Sequence, residues 1–272
     1  MAAQNAFERA WEGPAFKDKD TRFSHIIKTF QDLGNADSGP IMVIIDKIKG
    51  LGYVEAVDVG CGAGRYDMLL YRILGSKLRL TCLDANDDTL NNLSTYLNRH
   101  GIRTFHTKKS TAENMPFPNT SIDCMFTFDA VHHHDLPRFV REGARILKNG
   151  GYLFVHTRLR EPNNMNTWRQ HLPGITEKEK SVNSLEVFKQ SIDSIGSLAI
   201  ESIVFSAYNG IAALEQLFPR ERSHRSAVSS LYTPLELEEA LKDFSINLHN
   251  QVTDTQNVRW FDEKVMFVIK KE

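Results

Sequence analysis

No apolar run in this chain approaches the roughly 20 residues that a bilayer-crossing helix requires; the longest candidate is Ile41–Ile45. Charge of one sign is lacking as well. The 33 Lys and Arg residues face 34 Asp and Glu, for a net charge of −1. Such a balance offers no global basic field for nucleic acid or an anionic membrane. Cysteine is scarce: Cys61, Cys82 and Cys124 are odd in number and show no C-x-x-C spacing. Buried free thiols in a reducing compartment are therefore expected, and a disulfide framework is not. An apolar leader is missing too, because Phe7 to Lys28 is interspersed with charge, and a cytoplasmic location is expected. Repeats and low-complexity tracts are absent.

What is present is an alternation of short apolar runs with amphipathic stretches. Strands are predicted at Val54–Val59, Leu78–Leu83, Arg103–His106, Ile122–Phe128 and Tyr152–His156. Helices are predicted at Ile41–Lys49, Arg65–Leu74, Thr89–His100 and Leu136–Leu147. Strand–helix alternation at this spacing means parallel βαβ units in a doubly wound α/β sheet. Several strands are nearly continuous apolar runs, as expected when helices cover both faces. Beyond Thr157 come two polar, irregular segments, near 158–183 and 209–230. Between and after them a helix is predicted at Leu185–Ile195, a strand at Leu198–Phe205, a helix at Leu235–Phe244 and a last strand at Lys264–Lys270. Residues 1–39 read as a separate helical lid segment, with Phe7 and Trp11 four apart. Residues 40–272 read as the main domain.

The most telling stretch is Val57-Asp58-Val59-Gly60-Cys61-Gly62-Ala63-Gly64-Arg65-Tyr66. An apolar strand enters a G-x-G-x-G turn and a helix follows, which brings bare backbone close to a ligand at a helix N-terminus. Twenty residues past Gly64, Asp84 ends the next apolar run, where a carboxylate suits a ribose diol. Position six of the usual dinucleotide pattern holds Arg65, not Gly, and no Lys-Ser or Lys-Thr follows the glycines, which excludes a P-loop.

Four further blocks follow in order: Ala112-Glu113-Asn114-Met115-Pro116-Phe117, Ser121-Ile122-Asp123, Val131-His132-His133, and Glu142 to Gly151. With the glycine turn and Leu83-Asp84 they make the chain resemble the class I S-adenosylmethionine-dependent methyltransferases, densely over about 40–157. The subgroup it looks most like contains the ubiquinone/menaquinone-biosynthesis methyltransferases; Asn149 departs from that subgroup's usual Pro. The resemblance implies a Rossmann-like, seven-stranded, mostly parallel sheet with the last strand antiparallel, and S-adenosylmethionine as cofactor. It implies that Asp58 orients the turn or meets the methionine amine, and that Gly60, Cys61, Gly62 and Gly64 run beneath the methionine portion. Asp84 would take the ribose hydroxyls, Ala85 or Asn86 the adenosine face, and Ala112 and Glu113 the adenine edge. Phe128 and Asp129 would rim the sulfonium pocket.

The expected reaction is SN2 methyl transfer to a small-molecule acceptor. Candidate bases are His132, His133 and Asp129. The run His132-His133-His134 is not expected to hold a metal, because adjacent side chains in one turn diverge. Trp11 of the lid and Arg158, Arg220, Arg222 and Arg225 of the polar segments are candidate acceptor contacts, and their charge suggests an anionic acceptor. Two other readings compete. Some tRNA wobble-uridine methyltransferases share a G-C-G-x-G-[KR]-Y turn, although the near-neutral charge opposes a large phosphate footprint. A cofactor-binding scaffold subunit is the other.

Overall fold

The computed structural model describes residues 38–160, 167–217, 231–251 and 254–272. Trp11, Arg220, Arg222 and Arg225, and the expected lid, lie outside them.

Fifteen segments matter here. They are α1 (Ser38–Ile48), β1 (Val54–Val59), α2 (Arg65–Leu74), β2 (Leu78–Asp84), α3 (Asp87–Arg99) and β3 (Phe105–Lys109). Then come β4 (Ile122–Phe128), α4 (Leu136–Ile146), β5 (Leu147–Thr157), α5 (Thr167–His171), α6 (Ile175–Lys178) and α7 (Leu185–Asp193). The last are β6 (Leu198–Ala212), α8 (Pro234–Gln251) and β7 (Val258–Lys271). The strands form one sheet in the order β3-β2-β1-β4-β5-β7-β6. β1 to β5 pair in parallel, and β7 runs antiparallel to both its neighbours. Chain order thus reverses between β1 and β4. In open α/β sheets ligands bind outside the carboxyl ends of strands at such a point.

Local chemistry explains the helices. In α1, Ile41, Ile44 and Ile48 fall on one face and are fully buried or nearly so, the spacing of an amphipathic helix. Asn86 caps α3 by accepting from the Asp88 N–H at 2.8 Å, and Asp87 and Asp88 favour the positive end of its dipole. Asp135 caps α4 through the Arg138 N–H, with Pro137 in the first turn. The central strands carry Val57, Val59, Met125, Leu153, Val155 and Phe267 into a core shared with Phe139 and Val140 of α4.

Several boundaries differ from those expected. The third strand is Phe105–Lys109, shifted toward the loop, because it pairs with β2 as far as Asp84. The fifth begins at Leu147: its Leu147↔Ile122 pairing is separated by a register slip from Tyr152↔Cys124, and residues 148–151 make up the difference. β6 continues to Ala212, paired along its whole length with β7. Residues 209–212 are therefore strand, and the second irregular segment begins after them. β7 correspondingly starts at Val258, and α8 runs to Gln251. The chain from α5 onward builds a second apolar core, in which Leu172, Ile175, Tyr232, Leu237, Leu241, Phe244 and Val258 pack together. Part of the first polar segment is thus helical and anchored.

At the β4–β5 slip, a Cβ on Gly151 would lie 2.8 Å from the Lys148 carbonyl oxygen and 2.9 Å from that of Asp123. Both are backbone atoms of the sheet and cannot give way. Gly151→Ala should cost about 2–3 kcal/mol. Thermal unfolding should then fall by roughly 5–10 °C for a domain of this size. An unchanged melting temperature would show that the slip is not rigid.

Candidate active site

Four loops converge at the switch point. After β1, Gly60, Gly62 and Gly64 all take positive φ, at 74°, 53° and 78°. Gly60 has no room for a side chain: its Cβ would stand 2.6 Å from that of Ala130. Gly62 differs, since a Cβ there would meet no protein atom within 4 Å. Its bare face is turned to open space, which is what close approach of a ligand to backbone requires. The turn is held to β2, where the Leu83 carbonyl accepts from the N–H groups of Gly60 (2.8 Å) and Cys61 (3.2 Å).

Asp84 ends β2 half-buried and accepts the Asn86 N–H at 3.0 Å, which orients its carboxylate at the mouth of the cleft. Ala85 and Asn86 are exposed beside it. The loop after β3 brings Ala112, which is buried, and Glu113. This loop contains no helix and is latched from below. Glu142 of α4 accepts the Met115 N–H, and Arg145 donates to the carbonyls of Phe117 and Met115 and to Asn119. Glu113 has a structural partner, accepting the Asp135 N–H at 2.9 Å. Burial would raise its pKa, yet that bond and the facing His134 hold it below the usual range.

The three histidines separate in role. The rings of His132 and His133 lie 4.0 Å apart, so these neighbours converge instead of diverging. Burial, with His133 alongside, drives His132 down to about 4. His133 is exposed, and burial lowers it, with Asp84 opposing. His134, to which the sequence assigns no role, faces the turn: its Nε2 lies 3.5 Å from the Cβ position of Gly60. Among the described residues no group of three His, Cys, Asp or Glu side chains could hold a metal ion.

Asp129 follows β4 at φ 54°, a strained conformation for a residue with a side chain. Burial would raise its pKa, but an ion pair with Lys264 of β7 prevails and holds it low. A carboxylate so paired is a poor base. Beside it His156 of β5 is 1% exposed, with its Nδ1 3.9 Å from Asp129 Oδ1. Neither ring nitrogen has a partner. Burial keeps the ring neutral, with a pKa of about 4. Tyr66 stacks on Phe128 at 4.2 Å and meets the His156 ring edge at 5.9 Å. Arg158 is not available as a free cation, because it pairs with Asp262 at 2.5 Å; Arg169 likewise faces Glu179 at 3.0 Å.

Beneath the turn lies a charge problem of another kind. Asp58 of β1 and Asp67 of α2 are 2% and 0% exposed. Burial and the neighbouring Asp67 push Asp58 well above the usual carboxylate range. Burial raises Asp67 to about 7, although the neighbouring Asp58 and Cys82 oppose the shift. The open backbone at Gly62, the oriented Asp84 and the unmet carboxyl oxygens fit a nucleoside cofactor with a cationic amino-acid end.

Residues 57–155 match the family model described as a methyltransferase domain. Over those residues the chain is similar to methyltransferase domains. An uncharacterized methyltransferase of Bacillus subtilis, YcgJ, is 27% identical over 55% of this chain and 58% of its own length. Its crystal structure matches 86% of this chain and 99% of that one, with a TM-score of 0.60 and 18% identity. A Mycobacterium ulcerans protein named phthiotriol/phenolphthiotriol dimycocerosates methyltransferase 1 is 32% identical over 44% of this chain and 43% of its own length. Geranyl diphosphate C-methyltransferase from Streptomyces coelicolor, solved with S-adenosyl-L-homocysteine, covers 97% of this chain and 88% of that one at 15% identity, with a TM-score of 0.56. The structural matches show the fold alone. The chain spans about half the length of the curated relatives it matches.

The fold brings the glycine turn, Asp84, Ala112, Glu113, Phe128 and Asp129 to the carboxyl ends of the parallel strands, with Asp58 buried in β1 below the turn. The sequence signals missed Asp67, His134, His156 and Lys264, because none belongs to a motif block. An acid in the first turn after the glycines was the one readable cue for Asp67.

The two raised carboxyls have a consequence for stability. Their folded pKa values lie above the unfolded ones, so the native state holds protons that the unfolded chain has already lost. Stability from this pair is complete below about pH 4 and declines as pH rises through about 7. Asp67→Asn, which cannot ionise, should gain stability relative to the parent as pH is raised from 5 to 8. Parallel melting curves across that range would refute the buried pair.

Proposed function

We propose that this chain catalyses S-adenosylmethionine-dependent methyl transfer to a small-molecule acceptor by in-line SN2 displacement. The observation that carries the reading is the glycine turn whose bare face at Gly62 opens beside Asp84, on the family's own domain. When bound, the cofactor supplies an electrophilic methyl on a sulfonium. The chain's part is to hold donor and acceptor in line and to exclude water, since charge disappears in the transition state.

In this reading Asp84 takes the ribose diol, Gly60, Cys61, Gly62 and Gly64 line the methionine portion, and Ala85, Asn86, Ala112 and Glu113 border the adenosine. Phe128, with Tyr66 stacked on it, walls the reacting face. Asp129, whose carboxylate is bound by Lys264, is poorly suited to take a proton from the acceptor. The name of the Mycobacterium ulcerans relative favours a small acceptor. The expectation of an anionic one rests on Arg220, Arg222 and Arg225, because Arg158 is already neutralised by Asp262. Loss of acceptor affinity on changing those three arginines to Ala would support it; unchanged affinity would remove it.

Calorimetric titration with S-adenosylmethionine and S-adenosylhomocysteine tests the reading directly. Binding is expected in the parent protein. Asp84→Ala should weaken it about 10- to 100-fold, the worth of hydrogen bonds to a charged acceptor. Folded protein that binds neither ligand would sink the proposal.

A further inference from the structure

The sheet ends on β6, whose one strand neighbour among the described residues is β7. β6 runs for 15 residues, Leu198–Ala212, and pairs with β7 to its end. Its first half is engaged. Ile200 and Ile203 pack against the core that includes Phe188 and Ile192 of α7, and Glu201 pairs with Lys47 of α1 at 2.8 Å. Beyond Val204 the strand opens. Phe205, Ala207, Asn209 and Ile211 alternate, so they share one face, and all four are exposed. Phe205 and Ile211 keep 55% and 62% of their surface.

Unpaired N–H and C=O groups along an edge are a template for another chain, and proteins guard such edges with charge, proline or a short strand. Here the charges lie on the inner strand instead. Residues 202–214 contain no Lys, Arg, His, Asp, Glu or Pro, whereas Arg259, Asp262, Glu263 and Lys264 stand on β7. The open stretch is also self-complementary. Phe205 and Ile211 lie three residues to either side of position 208. Two copies paired antiparallel about a two-fold axis at that position set Phe205 of each copy against Ile211 of the other, twice over. Ala207 then meets Asn209, and no charge faces a like charge anywhere over 204–212.

We propose that a second copy of this chain covers β6, through antiparallel pairing of residues 204–212 with the same residues of the other copy. The result is one continuous β7-β6-β6-β7 arrangement across a two-fold axis. The inference uses no residue of the cleft and stands apart from the methyltransferase reading.

Sedimentation equilibrium of the full chain at up to about 100 µM, some hundredfold above a micromolar Kd, tests the proposal. A dimer is expected. Phe205→Lys and Ile211→Glu, both at exposed positions, should each weaken it about 10-fold or more by setting a charge against an apolar partner, with an unchanged circular dichroism spectrum. The double variant should regain the dimer, because each new cation then faces a new anion across the axis. An apolar contact without this register would lose more in the double variant than in either single one. A monomeric parent, a dimer that withstands both single changes, or a double variant that associates no better than the single ones would overturn the proposal.

Discussion

Everything at the site depends on the reversal of chain order between β1 and β4. Strands laid down to one side give β2 and β3; those laid down to the other give β4 and β5. The loops leaving β1 and β4 must therefore part in opposite directions, and the gap between them is the cleft. Gly60 shows how tight that parting is, because its Cα sits against Ala130 from the opposing loop with no space for a methyl group. Sheet topology thus dictates the glycine, the glycine allows the close approach, and Asp84 and the β3–β4 loop stand around it because they end the neighbouring strands.

Negative charge collects at these carboxyl ends, and the protein neutralises it in two ways. Away from the glycine turn three acids have basic partners: Lys264 for Asp129, Arg158 for Asp262, Arg169 for Glu179. Their charges are fixed by the fold, and breaking one pair would strand the other partner in a poorly solvated place. Beneath the glycine turn, Asp58 Oδ1 and both Asp67 oxygens are buried without a hydrogen-bond partner. One half of the cleft is internally complete. The other half holds buried acids without a basic partner among the described residues.

The glycine-turn side of the cleft was largely legible in the sequence. Val54–Val59, the glycines and Asp84 announce themselves because backbone geometry and strand ends allow few residue types there. Glu142 and Arg145 stand in a recognisable block for a different reason than cofactor contact, since they fasten the Met115–Asn119 loop. His156 and Lys264 were illegible. They meet Asp129 only through the pairing of β5 with β7, whose partners lie more than a hundred residues apart in the chain. A separate pairing, of β6 with β7, extends β6 to Ala212 through residues that look like loop when read alone. Glu113 was legible as a position, but its bond to the Asp135 N–H, 22 residues away, was not.

The second apolar core, under α8 and the far end of the β6–β7 ribbon, shares no residue with the core that carries the cleft. Its contacts are among residues 172–258, past the end of the segment that matches the family model. Two cores with separate membership can drift at separate rates. A lineage could exchange the ribbon's cap for another while leaving the first core unaltered, provided that Phe188, Ile192 and Leu198, which lie between the two stretches of the cap but belong to the first core, stayed in place.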